Sequence, residues 1–305
     1  MFRITLLIPT YNRSRELLRA LQSVAAQQLD PALWECIVVD NASTDDTAEV
    51  VERFAAEHPS LNLRRVFEPC AGVSHARNRG LQEATTPLIA SIDDDERINP
   101  AFLEAYLRFF DTHPEANIAG GKIIAEYPSG RPDWMSRWTE RPIANPMDFG
   151  TQVRPFPKGC LPGGGNMAFR REVALRYGFD TELGRVGEKL IGGEENDFFL
   201  RLRQAGETLW YVPDAVMWHI IPEEKLTEGY LKRLGYHIGI SQRRRATRDK
   251  AVCSAYLKEG LKWLVTLLLI VTLRPAQWVR VVVMRREISR GLFQNEQKYA
   301  AGAGK

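Results

Sequence analysis

The chain has 305 residues, a formal net charge of +3, and 44% apolar against 26% charged residues, an ordinary globular make-up with ample core for one large or two small domains. Its four cysteines, Cys36, Cys70, Cys160 and Cys253, are widely spaced with no CxxC, which argues against a disulfide framework or a zinc site and fits a reducing cytoplasm. The Met1-Phe2-Arg3 start runs into an apolar stretch too short for a secretory core, so no signal peptide is expected.

The first hundred residues alternate strand and helix signals. Apolar runs at Ile4–Ile8, Glu35–Val39, Leu61–Phe67 and Leu88–Ile92 read as strands. Helical patterns at Arg13–Gln27, Thr44–Glu57 and Gly72–Ala84 lie between them. This order implies parallel pairing with right-handed crossovers. A helix over Pro100–Thr112 and a strand over Asn117–Ala125 follow. Residues 127–162, rich in Pro and Trp, read as a long irregular excursion over the sheet edge. Gly163-Gly164-Gly165 then feeds a strand at Asn166–Phe169 and a helix at Arg171–Tyr177. A helix at Glu194–Ala205 and a short strand at Leu209–Val212 precede a mostly helical remainder from Lys225.

Acids gather where these strands end. Asp93-Asp94-Asp95 directly follows the Leu88–Ile92 run, with Glu96 as a fourth. Adjacent carboxylates repel one another unless a cation sits between them, and the C-terminal edge of an open α/β sheet is where ligands bind. The plainer reading is a solvated acidic turn. Thr10, Asn12 and Arg13 follow the first strand, and Asp40 ends the second. An acid at a strand tip suits a base or ribose, although Asn41 to Asp46 also form a natural turn and N-cap run.

Taken in order, several segments resemble the inverting family 2 glycosyltransferases of the GT-A fold. They are Leu7-Ile8-Pro9-Thr10-Tyr11-Asn12-Arg13, Val38-Val39-Asp40-Asn41-Ala42-Ser43-Thr44-Asp45, Ala76-Arg77-Asn78-Arg79-Gly80 and Ile92-Asp93-Asp94-Asp95. Gly164-Gly165-Asn166-Met167-Ala168-Phe169 and the run from Gly192 to Leu202 complete the set, which spans residues 4–219. The resemblance implies a Rossmann-like α/β domain over 1–222, with a mainly parallel central sheet flanked by helices. It also implies a nucleotide-sugar donor, UDP-linked by expectation, and a divalent cation, Mn²⁺ or Mg²⁺. Asp40 would contact the base, with Thr10, Asn12 and Arg13 nearby. Arg77 would lie beside the nucleotide or diphosphate. Asp93 and Asp95 match the DxD acids, with Asp95 as metal ligand, Asp93 toward the ribose and Asp94 between them. His219 matches a position that often supplies a metal-binding imidazole, although a lone His among apolar residues is ordinarily structural. The family's acid pair reads Glu194-Glu195 here, a departure that lengthens the second acid by one methylene. Glu195 is the first choice as base and Glu194 the second, while Asp197 supports the helix start or the acceptor. Gly164, Gly165 and Asn166 would border the donor sugar and acceptor, and Trp134 could stack on a sugar face or simply anchor its loop.

The resemblance does not cover residues 223–305. Residues 225–290 hold 15 Lys and Arg against 4 Asp and Glu, whereas residues 1–224 hold 24 against 33. Leu261–Leu273 is nearly all apolar but shorter than the roughly 20 residues needed to span a bilayer. Pro275 interrupts it and Trp278 to Met284 resumes it, with arginines between. This pattern predicts a basic, amphipathic helical appendage, as a broken hairpin, resting on the inner face of the cytoplasmic membrane. Packing on the catalytic domain or on a second copy is the other reading. Nucleic acid is disfavoured because the arginines interleave with long aliphatic stretches. The expected protein is a cytoplasmic, membrane-attached transferase acting on a lipid-linked or polysaccharide acceptor. A sugar-phosphate nucleotidyltransferase, or an inactive binding protein on the same fold, stands as the alternative.

Overall fold

The computed structural model describes residues 2–185 and 192–294; residues 295–305 of the expected appendage lie outside them. The chain divides into two compact units. The first comprises residues 1–126, 146–187 and 194–220, and the second residues 127–145, 188–193 and 221–305.

One nine-stranded sheet forms the first unit. Strands β1 (Ile4–Thr10), β2 (Trp34–Asp40), β3 (Leu63–Phe67) and β4 (Leu88–Ser91) lie in the order β3-β2-β1-β4, all parallel. Helices α1 (Ser14–Ala25), α2 (Thr47–Glu57) and α3 (Val73–Glu83) connect them. Every residue of β1 and β2 is buried, as a parallel strand covered on both faces requires. Next come β5 (Glu96–Ile98), helix α4 (Phe102–Thr112) and β6 (Ile118–Glu126). Strand β8 (Met167–Arg170) inserts antiparallel between β4 and β6, and β9 (Leu209–Ile220) pairs parallel with β6. The short β5 and β7 (Arg154–Pro155) pair antiparallel with β9. Helices α6 (Arg171–Tyr177) and α7 (Glu194–Gln204) complete this unit.

Besides the short β5 and β7, which the sequence reading did not include, two elements differ from it. Strand β9 extends to Ile220, past the expected end at Val212, because a bulge absorbs Pro213, which cannot donate to the ladder. Within the stretch read as irregular, Arg137–Ala144 forms helix α5, started by a Ser136–Thr139 capping box.

Helices α5, α8 (Glu228–Arg248), α9 (Val252–Leu269) and α10 (Pro275–Phe293) form the second unit. Helices α8 and α10 meet backbone to backbone. A Cβ on Gly239 would lie 2.1 Å from the Ile288 carbonyl, and one on Gly291 equally close to that of Tyr236. Pro275 occupies the first turn of α10, where its missing N–H costs nothing. Helix α9 keeps a broad apolar face in solvent, with Leu257, Leu261, Leu264 and Leu268 exposed, and Val271 just beyond its end is exposed too.

Candidate active site

The topology gathers the acids. Strands β1, β2 and β4 end at one sheet edge, and Thr10 is the register partner of Asp40. Because β8 runs antiparallel to β4, its entry loop, Gly163–Asn166, begins where β4 ends. Strand β5 pairs Glu96 with His219 of β9, which sets that imidazole's backbone one residue beyond Asp95.

Two arginines knit the carboxylates together. Arg77, 2% exposed on α3, donates from Nη1 to Glu194 Oε1 at 2.6 Å and from Nη2 to Asp93 Oδ1 at 2.8 Å. One guanidinium therefore joins the acid run after β4 to the first turn of α7. Arg13 Nη1 donates to Asp94 and to Asp95, each at 3.0 Å, and the Thr10 hydroxyl donates to Asp94 at 2.8 Å. Glu96 is buried and accepts from the Asp93 backbone N–H.

The glycines have a steric reason. A Cβ on Gly165 would fall 1.8 Å from the Glu96 carboxylate, and one on Gly164 would stand 3.2 Å from both the Arg77 guanidinium and Glu195. Side chains there would displace the acids.

Electrostatics follow from burial. Burial, with repulsion from Asp95 and against the pull of Arg13, pushes Asp94 up to about 6. Glu96 is raised well above the carboxylate range by burial and by repulsion from Asp93 and Asp95. Glu195 is pushed up to about 8 by burial and by neighbouring Glu194, with Arg77 opposing. Of the acid pair, Glu194 engages the guanidinium and Glu195 has the high proton affinity. Asn196 donates to Glu195 at 3.2 Å.

Other candidates occupy different surroundings. Asp40 is buried; it accepts from the Ser43 N–H at 2.9 Å and pairs with Arg65 at 3.2 Å. Asn12, at φ 51°, accepts from the Thr44 N–H at 2.7 Å and so clamps the turn after β2. Asp197 pairs with Arg201, which also holds the Tyr177 and Gly178 carbonyls. The Asn166 side chain does not point to the cleft. It accepts from Tyr106 and donates to the Lys122 and Ala215 carbonyls at 2.9 and 3.0 Å, closing the β6–β9 bulge. Trp134 belongs to the second unit and is half-buried. Sequence reasoning undervalued Glu96 and assigned nothing to Asn41, whose amide pins the loop after β3. A buried polar residue directly after a strand-end acid is the signal that could have found it.

Six carboxyl groups, Asp93 to Glu96 and Glu194-Glu195, face two guanidiniums here, an excess of hard oxygen donors suited to Mg²⁺ or Mn²⁺. Asp95 and Asp93, beside the His219 backbone position, would hold such an ion. Among the described residues, the one trio whose donor atoms all lie within 4.8 Å of one another is elsewhere, at Glu68, Cys70 and His75.

The family model for glycosyl transferase family 2 matches residues 5–178, more than half of the chain. The chain belongs to glycosyl transferase family 2. A glucosyl-dolichyl phosphate glucuronosyltransferase of Haloferax volcanii is 26% identical over 279 residues, covering 84% of this chain and 82% of that protein. The succinoglycan biosynthesis protein ExoM of Rhizobium meliloti is 29% identical over 235 residues, covering 75% and 71%. The mannosyltransferase PcManGT of Pyrobaculum calidifontis, solved with GDP-Man and Mn²⁺, superposes with a TM-score of 0.63 at 20% identity, covering 95% of this chain and 87% of that one. This glycosyltransferase therefore has the GT-A fold that its motifs implied, with helices at its C-terminal end.

Proposed function

We propose that this family 2 glycosyltransferase moves a sugar, with inversion, from a nucleoside-diphosphate sugar, UDP-linked by first choice, to a hydroxyl of a lipid-linked or polysaccharide acceptor. The observation that carries this reading is the Arg77 bridge between Asp93 and Glu194, residues 101 positions apart in the chain (194 less 93). It couples the donor side of the site to the acid pair. Glu195 takes the proton of the attacking hydroxyl, since its environment favours protonation while Glu194 is engaged by Arg77. Asp40, with the Asn12-clamped turn, bounds the nucleoside. Arg13 and Arg77 hold the carboxylates in place and offer positive charge to the diphosphate. Mn²⁺ or Mg²⁺ bound at Asp95 and Asp93 would supply charge neutralisation for the leaving diphosphate.

The acceptor class is supported by the relatives, one named for glucosyl-dolichyl phosphate and one for succinoglycan biosynthesis. No described helix is long and apolar enough to cross a membrane. The exposed apolar residues of α9 span roughly 160° of arc at about 100° per residue. That is broader than a coiled-coil seam and suits burial in one leaflet at the cytoplasmic face. Exposed Lys258, Arg274 and Arg286 add attraction to anionic headgroups.

A panel of UDP- and GDP-sugars with Mn²⁺ tests the donor reading. One donor is expected to raise the melting temperature and to release its nucleoside diphosphate with acceptor present, with inverted anomeric configuration in the product. No stabilisation and no turnover across the panel overturns it.

A further inference from the structure

We propose a second metal site, for a borderline-soft ion such as Zn²⁺, at Glu68, Cys70 and His75. These side chains offer a carboxylate, a thiol and an imidazole whose donor atoms lie within 4.8 Å of one another. The spacing, two positions and then five along the chain, matches no zinc motif, so the sequence pointed away from zinc. The fold creates the cluster by turning directly from β3 into α3.

The loop is held ready. Buried Asn41 donates to the carbonyls of Glu68 and Cys70 at 3.2 and 2.6 Å and accepts from the Gly72 N–H at 2.6 Å. Glu68 accepts from the Cys70 N–H at 2.8 Å, which fixes the carboxylate beside the thiol. Gly72, at φ 136°, makes the turn that brings His75 in the first turn of α3 back over Cys70. Around tetrahedral zinc, with bonds of about 2.0–2.3 Å, donors sit roughly 3.3–3.8 Å apart. Closure therefore needs at most about 1.5 Å, within side-chain reach. Cys70 is exposed, so the ion has an entry path. A thiolate and an imidazole select zinc over the hard ions suited to the Asp93–Asp95 run. Three protein ligands leave the fourth position for water or an incoming donor. Asn41 follows Asp40, so the occupied site stiffens the wall beside the proposed nucleoside position.

Zinc binding to the purified, reduced, metal-stripped chain, read by competition with a chromophoric chelator, tests this without any activity measurement. Wild type is expected to take up one equivalent, and Co²⁺ in its place to give a thiolate-to-metal charge-transfer band. Cys70→Ser should abolish the band, His75→Ala should weaken binding at least about tenfold, and Cys253→Ser and Asp95→Asn should leave both unchanged. Absence of stoichiometric binding, or a band surviving Cys70→Ser, overturns the site. Circular dichroism of each variant separates lost ligation from lost fold.

Discussion

In the first unit Arg77, Asp94, Glu96 and Glu194 lie buried, while in the second Leu257, Leu261, Leu264, Leu268 and Val271 stand in solvent. Both placements run against the usual partition, in opposite directions. Charge under cover costs stability unless paired, and this protein pairs it through two arginines that each serve two acids. Exposed hydrocarbon carries no such compensation inside the chain. On the proposed function, the acids form the site for a small charged ligand and α9 one half of an interface. On that reading each departure marks where a partner would bind, and its sign tells which kind.

The sharpest break of that comparison is removal of one acid. Glu195→Gln should lower transfer by about 10²–10⁴-fold if Glu195 is the general base. A base works deprotonated, and burial holds this one at about 8, so wild-type kcat/KM should climb as pH rises through about 8. Stability runs the other way. The folded state binds this proton more tightly than the unfolded chain, whose Glu titrates near 4.5, so stability falls as pH rises from about 4.5 to 8. Glu195→Gln removes that loss and should melt higher than wild type at pH 8. A variant that is inactive and also less stable at pH 8 would mark Glu195 as structural.

Next in size is the bridge. Arg77→Met strands Glu194 in a buried position and frees Asp93, an expected loss of about 3–5 kcal/mol in urea unfolding. Arg13→Met should cost less, because its side chain is 37% exposed against 2% for Arg77. Equal costs would mean that burial does not govern the network.

These couplings mark the limit of what the sequence could tell. The alternating strands and helices were legible because parallel strands buried on both faces read as apolar runs. The acids were legible because they sit at strand ends. Glu194 and Arg77, 117 residues apart, carry no local sign of each other. Nor does the three-residue β5 that aligns Glu96 with His219. The glycines at 164 and 165 could be noticed, but their purpose needed the carboxylates they make room for.

The apolar half of the comparison is tested on vesicles. Leu264→Glu with Leu268→Glu removes two exposed leucines, each worth about 1.5–3 kcal/mol when fully buried. Sedimentation with anionic vesicles should weaken at least about tenfold, with turnover of a soluble acceptor unchanged. Retained binding refutes the membrane role of α9. A wild-type dimer that the double variant converts to monomer assigns the face to a second copy.

The smallest expected effect separates packing from recognition at Asn166. Its motif position suggested contact with sugar, yet its amide spends itself on Tyr106, Lys122 and Ala215. The bulge forced by Pro213 leaves carbonyls turned from the ladder, and Asn166 satisfies two of them. Gly121 beside it admits no Cβ, which would fall 2.0 Å from the Ala215 carbonyl. Asn166→Ala should therefore cost about 1–3 kcal/mol through unsatisfied buried partners. Donor KM should stay put, because the amide makes its hydrogen bonds to Tyr106, Lys122 and Ala215 within the fold. A raised KM with unchanged stability would return Asn166 to the binding surface, and the bulge would need another support.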